Sequence, residues 1–107
     1  MLLNGLLPQL QPYGEYLLAW AGRYDPALQV TSVRRSSSEQ ARLYRRFLAG
    51  QSQYPAAPPG SSLHEQGRAF DVIARPEVLA AMGAVWESWG GTWGGRYGSP
   101  DPIHFEA

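Results

Sequence analysis

Apolar residues at Leu10, Tyr13, Leu17 and Trp20 recur at helical spacing, with Leu18 and Ala21 beside them, and predict a helix over 9–23 that ends near Gly22. ALQVTS (27–32) is short and carries β-branched residues, the pattern of a strand. Ser36 followed three positions later by Glu39 forms a capping box, in which a hydroxyl and a carboxylate satisfy the first free N–H groups of a helix. That second helix runs to about Ala49, with Gln40, Leu43, Tyr44, Phe47 and Leu48 on one side, and Gly50 stops it. QSQYPAAPPGSSL (51–63) holds three prolines and Gly60 and predicts a loop, long for so small a chain and therefore a candidate functional segment.

Residues 69–74 read as a strand, with Phe70 and Val72 on one face and Asp71 and Ile73 on the other. Pro76 opens a third helix whose buried stripe is Val78, Leu79, Met82, Val85, Trp86 and Trp89. The glycine-rich, aromatic tail GGTWGGRYGSPDPIHFEA predicts two short strands joined by a turn around 98–102. Helices and strands are mixed, and the strands are too few for a doubly wound sheet. The expectation is one α+β domain over residues 1–107 with a small antiparallel sheet.

Composition narrows the function classes. Nine basic and nine acidic residues cancel, which argues against a nucleic-acid or membrane-surface partner. There is no cysteine, hence no disulfide framework and no thiolate metal site. MLLNGLLPQL lacks a basic leading region and its apolar run is broken by Asn4, Gly5 and Pro8, so no signal peptide is expected. No stretch approaches the length of a transmembrane helix.

The chain has two histidines, His64 and His104. Taken singly, each reads as an ordinary hydrogen-bonded residue. Together with Asp71 they form a set of two imidazoles and one carboxylate, the kind of three-ligand set that leaves a fourth position open on a catalytic zinc ion. Gly67 allows a tight turn between the first two. A hydrolase of this kind also needs a base. Asp101, between Pro100 and Pro102, is the candidate, with Glu65 and Glu106 as rivals; on a strand, Glu106 would share a face with His104. Arg34 and Arg35 follow the first strand, and one of them could stabilise a developing oxyanion.

SSLHEQGRAFDV resembles the S-x-H-x-x-G-x-A-x-D signature of the D-Ala-D-Ala metallopeptidases, at Ser62, His64, Gly67, Ala69 and Asp71. WGGRYGSPDPIHFE resembles that family's closing segment, in which D-x-x-H-F follows a W-G-G stretch, and TSVRRSSSEQARLY resembles its T-S-G-Y-R-S segment. The resemblance implies a hedgehog/DD-peptidase-like fold, with helices on one face of the sheet and zinc on the other. It implies Zn2+ on His64, Asp71 and His104, general acid–base chemistry at Asp101, oxyanion and substrate contact at Arg35, and substrate contacts at Ser62 and Gln40. Val33 and Arg34 depart from the usual glycine and tyrosine, which bears on one wall of the cleft.

The implied activity is hydrolysis of an amide bond in the peptidoglycan stem peptide. Without a signal peptide, a phage-type L-Ala–D-Glu endopeptidase is favoured, made in the bacterial cytoplasm and reaching the wall after release or in a virion. The alternatives are a D-alanyl-D-alanine carboxypeptidase and a non-catalytic wall-binding or virion structural module. The chain stops two residues after Phe105, so affinity for the wall is expected to come from this domain or from another subunit.

Overall fold

The computed structural model describes residues 2–52 and 54–107; Met1, and Gln53 inside the predicted loop, lie outside the described residues. The elements follow in the order α1 (Gln11–Gly22), β1 (Gln29–Ser32), α2 (Ser37–Leu48), β2 (Ala69–Ile73), α3 (Pro76–Ser88), β3 (Thr92–Trp93), a 3₁₀ turn (Gly94–Arg96) and β4 (His104–Glu106). The strands form one antiparallel sheet in the order β1-β2-β4-β3. This is the α+β architecture that the mixed pattern predicts.

Alternation sorts the sheet into two faces. Phe70 and Val72 of β2 and Phe105 of β4 are fully buried and point to the core, where α1 contributes Leu17, Leu18 and Ala21 and α3 contributes Val78, Leu79, Met82 and Trp86. Phe70 and Phe105 are register partners, with their rings stacked at 5.4 Å. Trp86 closes over Phe70 edge-on and donates its indole N–H to the Glu106 carbonyl, so this large ring is buried with its polar atom satisfied.

The N-terminal turn belongs to the same core, which the periodicity did not reveal. Leu3 and Leu6 are buried against Gly14, where a Cβ would lie only 2.4 Å from Leu3 Cδ1. That close approach rotates the buried stripe of α1 to Gly14, Leu17, Leu18 and Ala21, and leaves Tyr13 exposed. Trp89, predicted in the stripe of α3, is likewise 40% exposed, because it lies just past the helix end and packs against the outer rings of Tyr13 and Tyr16.

The second helix differs from the other two. Its capping box is formed as expected: Ser36 Oγ accepts from the Glu39 N–H and Glu39 Oε1 accepts from the Ser36 N–H, each at 3.2 Å. Of its apolar stripe only Gln40 is buried, whereas Phe47 and Leu48 are exposed. It stands beside the polar face of the sheet and walls a cleft instead of covering the core. No helix among the described residues is long and apolar enough to cross a membrane.

Candidate metal centre

Sheet register places the first pair of candidate ligands. Asp71 on β2 and His104 on β4 are direct partners, on the face opposite Phe70 and Phe105. His64 reaches them from the turn before β2. There Gly67 holds φ +69° and a Cβ would meet the Gly5 carbonyl at 2.8 Å, so only glycine fits. The turn is fastened to the segment after β1: the Arg35 N–H donates to the His64 carbonyl at 3.1 Å, and the His64 N–H donates to Ser62 Oγ at 3.2 Å.

Three ligand atoms meet at the bottom of the cleft. His64 Nε2 lies 3.1 Å from Asp71 Oδ1, His104 Nδ1 lies 3.1 Å from the same oxygen, and the two nitrogens are 3.3 Å apart. The outer side of each ring decides what faces inward. His64 Nδ1 is 2.7 Å from the Val33 carbonyl, which can only accept, so the proton sits on Nδ1 and Nε2 presents a lone pair. His104 Nε2 is 2.7 Å from Glu106 Oε1, so in the neutral ring Nδ1 presents a lone pair as well. With Asp71 ionised, three acceptors then converge with no proton between them.

Such a group can hold a cation, and the donors suit zinc. Donors at ~2.0–2.2 Å from a tetrahedral ion lie roughly 3.3 Å from one another, close to the separations found here. Two imidazoles and one carboxylate are borderline ligands that manganese or cobalt could also use.

The electrostatics agree. Burial opposes charge on Asp71, but where protons take the place of a cation, hydrogen bonds from the His104 and His64 rings and their positive charge outweigh it and hold its carboxyl well below the usual carboxylate range. Burial also pulls His104 down, and the Asp71 and Glu106 carboxylates outweigh that and hold it above its ordinary value. Asp71 Oδ2 accepts from Arg35 Nη2 at 2.8 Å, Arg35 Nη1 donates to Gln40 Oε1 at 3.1 Å, and Gln40 Nε2 donates to the Ala57 carbonyl of the proline-rich loop at 2.9 Å. A chain of contacts thus runs from the candidate ligand through α2 to the loop. Arg34 is exposed and donates to the Gln66 carbonyl.

The three candidate bases are placed differently. Glu65 caps the N–H of Gly60 and accepts from the Ser37 hydroxyl. Glu106 accepts from both Tyr97 and His104. Asp101 lines the cleft, and its Oδ1 is buried without a hydrogen-bond partner among the described residues. Burial, and then the charge on Asp71, raise its carboxyl above the ordinary value. Its backbone is fixed by an N–H to the Gly94 carbonyl and by a carbonyl that accepts from the His104 N–H.

The cleft above these groups measures about 1050 Å³, walled by Arg42 and Leu43 of α2, Tyr54 and Pro55 of the loop, and Tyr97 and Ser99 opposite. Ser62, Gln40, Arg35 and Asp101 all line it, so the predicted site residues converge in one place. Tyr97 escaped the sequence reading: nothing local marks it, because its partner Glu106 arrives only when the tail folds back.

No protein-family model matches the chain, and no curated protein matches it either. Among solved structures it is similar to the L-Ala D-Glu endopeptidase ChiX of Serratia marcescens, with a TM-score of 0.64 and 26% identity over 98% of this chain and 82% of that one.

Proposed function

We propose that this chain is a zinc-dependent peptidoglycan peptidase, with residues 1–107 as one catalytic domain that cleaves the L-Ala–D-Glu bond of the stem peptide. The observation that carries this is the convergence of three lone pairs from His64, Asp71 and His104 at the bottom of an open cleft that Asp101 also lines, with its Oδ1 buried and without a partner among the described residues. The likeness to an L-Ala D-Glu endopeptidase across nearly the whole chain supports the choice of substrate and bond.

His64, Asp71 and His104 would hold the ion. When bound, zinc supplies Lewis acidity, polarising a carbonyl and making water easier to deprotonate. Asp101 Oδ1 takes the proton of the attacking water and delivers it to the leaving amine; its raised carboxyl suits both halves of that task. Arg35 holds Asp71 and Gln40 with two of its five N–H groups, which leaves donors for the negative charge that develops on the scissile oxygen. The Ser62 hydroxyl accepts from the His64 N–H and keeps its own proton to donate to the peptide. The amide of Gln40 serves the substrate by setting Arg35 and the loop wall.

The test is digestion of purified peptidoglycan with the zinc-loaded protein, followed by mass spectrometry. Fragments with new N-terminal D-Glu are expected, and a chelator should abolish them. Released D-Ala would replace this with a carboxypeptidase, and intact peptidoglycan with a non-catalytic binding module.

A further inference from the structure

We infer that Glu106, restrained by Tyr97, is a positioning residue that selects the tautomer of His104 in which Nδ1 is free to bind a metal. This rests on the metal site proposed above and assigns Glu106 a task other than that of a base.

His104 stands between two carboxylates. Asp71 Oδ1 lies 3.1 Å from Nδ1 and Glu106 Oε1 lies 2.7 Å from Nε2. A neutral imidazole has one proton for these two positions. On Nδ1 it would satisfy Asp71 and block the ligand atom. On Nε2 it satisfies Glu106 and turns a lone pair toward His64 and Asp71. Left with Asp71 alone, the ring would gain a hydrogen bond by choosing the blocked form. The shorter contact to Glu106 tips the choice, and a carboxylate on the outer nitrogen also makes the inner one a stronger ligand.

Two features hold Glu106 in place. The strand sets it two residues after His104, on the same face of β4. The Tyr97 hydroxyl, from the far side of the cleft, donates to the same Oε1 at 2.5 Å. Burial and then the Glu106 carboxylate raise the Tyr97 hydroxyl well above its ordinary value, so it remains a donor. His64 needs no such device, because a backbone carbonyl already fixes its outer nitrogen.

The experiment uses the full chain, intact and as Glu106→Ala, Glu106→Gln and Tyr97→Phe. The His104 tautomer is read by ring nitrogen NMR of the metal-free protein, at a pH where the ring is neutral. Zinc affinity is read by competition with a chromophoric chelator. The intact protein should show the Nε2–H form. Glu106→Ala should shift His104 toward Nδ1–H and weaken zinc binding about 10- to 100-fold. Glu106→Gln, which keeps an acceptor, should recover part of that loss. Tyr97→Phe, which removes a single oxygen, should cost about two- to tenfold, the worth of one hydrogen bond. An unchanged tautomer and unchanged zinc affinity in Glu106→Ala would overturn the inference; if that variant did not fold, zinc affinity unchanged in both Glu106→Gln and Tyr97→Phe would overturn it. An intact protein that shows the Nε2–H form dependent on Glu106 but binds no zinc would support the tautomer selection and defeat only the metallopeptidase proposal.

Discussion

The two faces of the sheet are built from the same strands and obey different rules. On β2, Phe70 and Val72 face the helices while Asp71, between them, faces the cleft; on β4, Phe105 faces the helices while His104 and Glu106 face the cleft. The apolar face gains stability roughly in proportion to the area it covers, and a lost methylene is a local loss. The polar face works as a set. Its three acceptors repel one another unless a cation or a proton comes between them, so removing one changes the purpose of the other two. A single antiparallel register thus sets a tolerant core against an intolerant site, one pleat apart.

The largest effect that should separate the faces is loss of a ligand. His64→Ala should weaken zinc binding by about 10³-fold or more and abolish peptidoglycan cleavage, as measured by metal titration and fragment analysis. Asp101→Asn comes next: cleavage should fall about 10²–10⁴-fold while zinc affinity stays within error of the intact protein. Full activity in that variant would point to another base. On the other face, Met82→Ala removes a fully buried side chain and should cost about 2–5 kcal/mol in denaturant unfolding of the metal-free protein, with zinc affinity unchanged. If affinity fell with stability, the two faces would be coupled and the contrast would fail.

A smaller effect comes from pH. Because His104 is held above its ordinary value, zinc must displace a proton from it, and affinity should drop about tenfold per pH unit below its folded pKa. In the metal-free protein the sign reverses. A raised pKa adds stability that is fully present below about pH 6.5 and is lost as pH rises through the folded value. Parallel pH series with zinc and with chelator should therefore slope in opposite directions. Smallest of all, Ser36→Ala removes the cap of α2 and should cost about 1 kcal/mol, leaving the slopes untouched.

How much could be read in advance differs by element. The α2 cap and the two faces of β2 are local facts of spacing, and both appear as expected, although Asp71 on the cleft face is buried as well. His64, Asp71 and His104 were legible as residue types; the signature over Ser62–Asp71 marked the first two and the resemblance of the closing segment marked His104. The destination of Leu3 and Leu6 was hidden, because a turn carries no period and only Gly14 makes room for it. The stripe of α2 was incomplete for a related reason: spacing shows that Phe47 and Leu48 share a side, but not whether anything covers it. Arg35 and Gln40 were legible as site residues, but the chain of contacts through them to Asp71 and Ala57 was not.

The sequence by itself determined the elements, the split of each strand into an apolar and a polar side, and the residue types of the candidate ligands, since these follow from period and side-chain chemistry within a few neighbouring residues. Only the tertiary structure decided which nitrogen of each histidine faces inward, that Asp101 keeps a buried oxygen without a partner among the described residues, and that Tyr97 joins the site. Each of those depends on a partner far away in the chain, because a proton or a lone pair is placed by whatever folding brings within three ångströms of it.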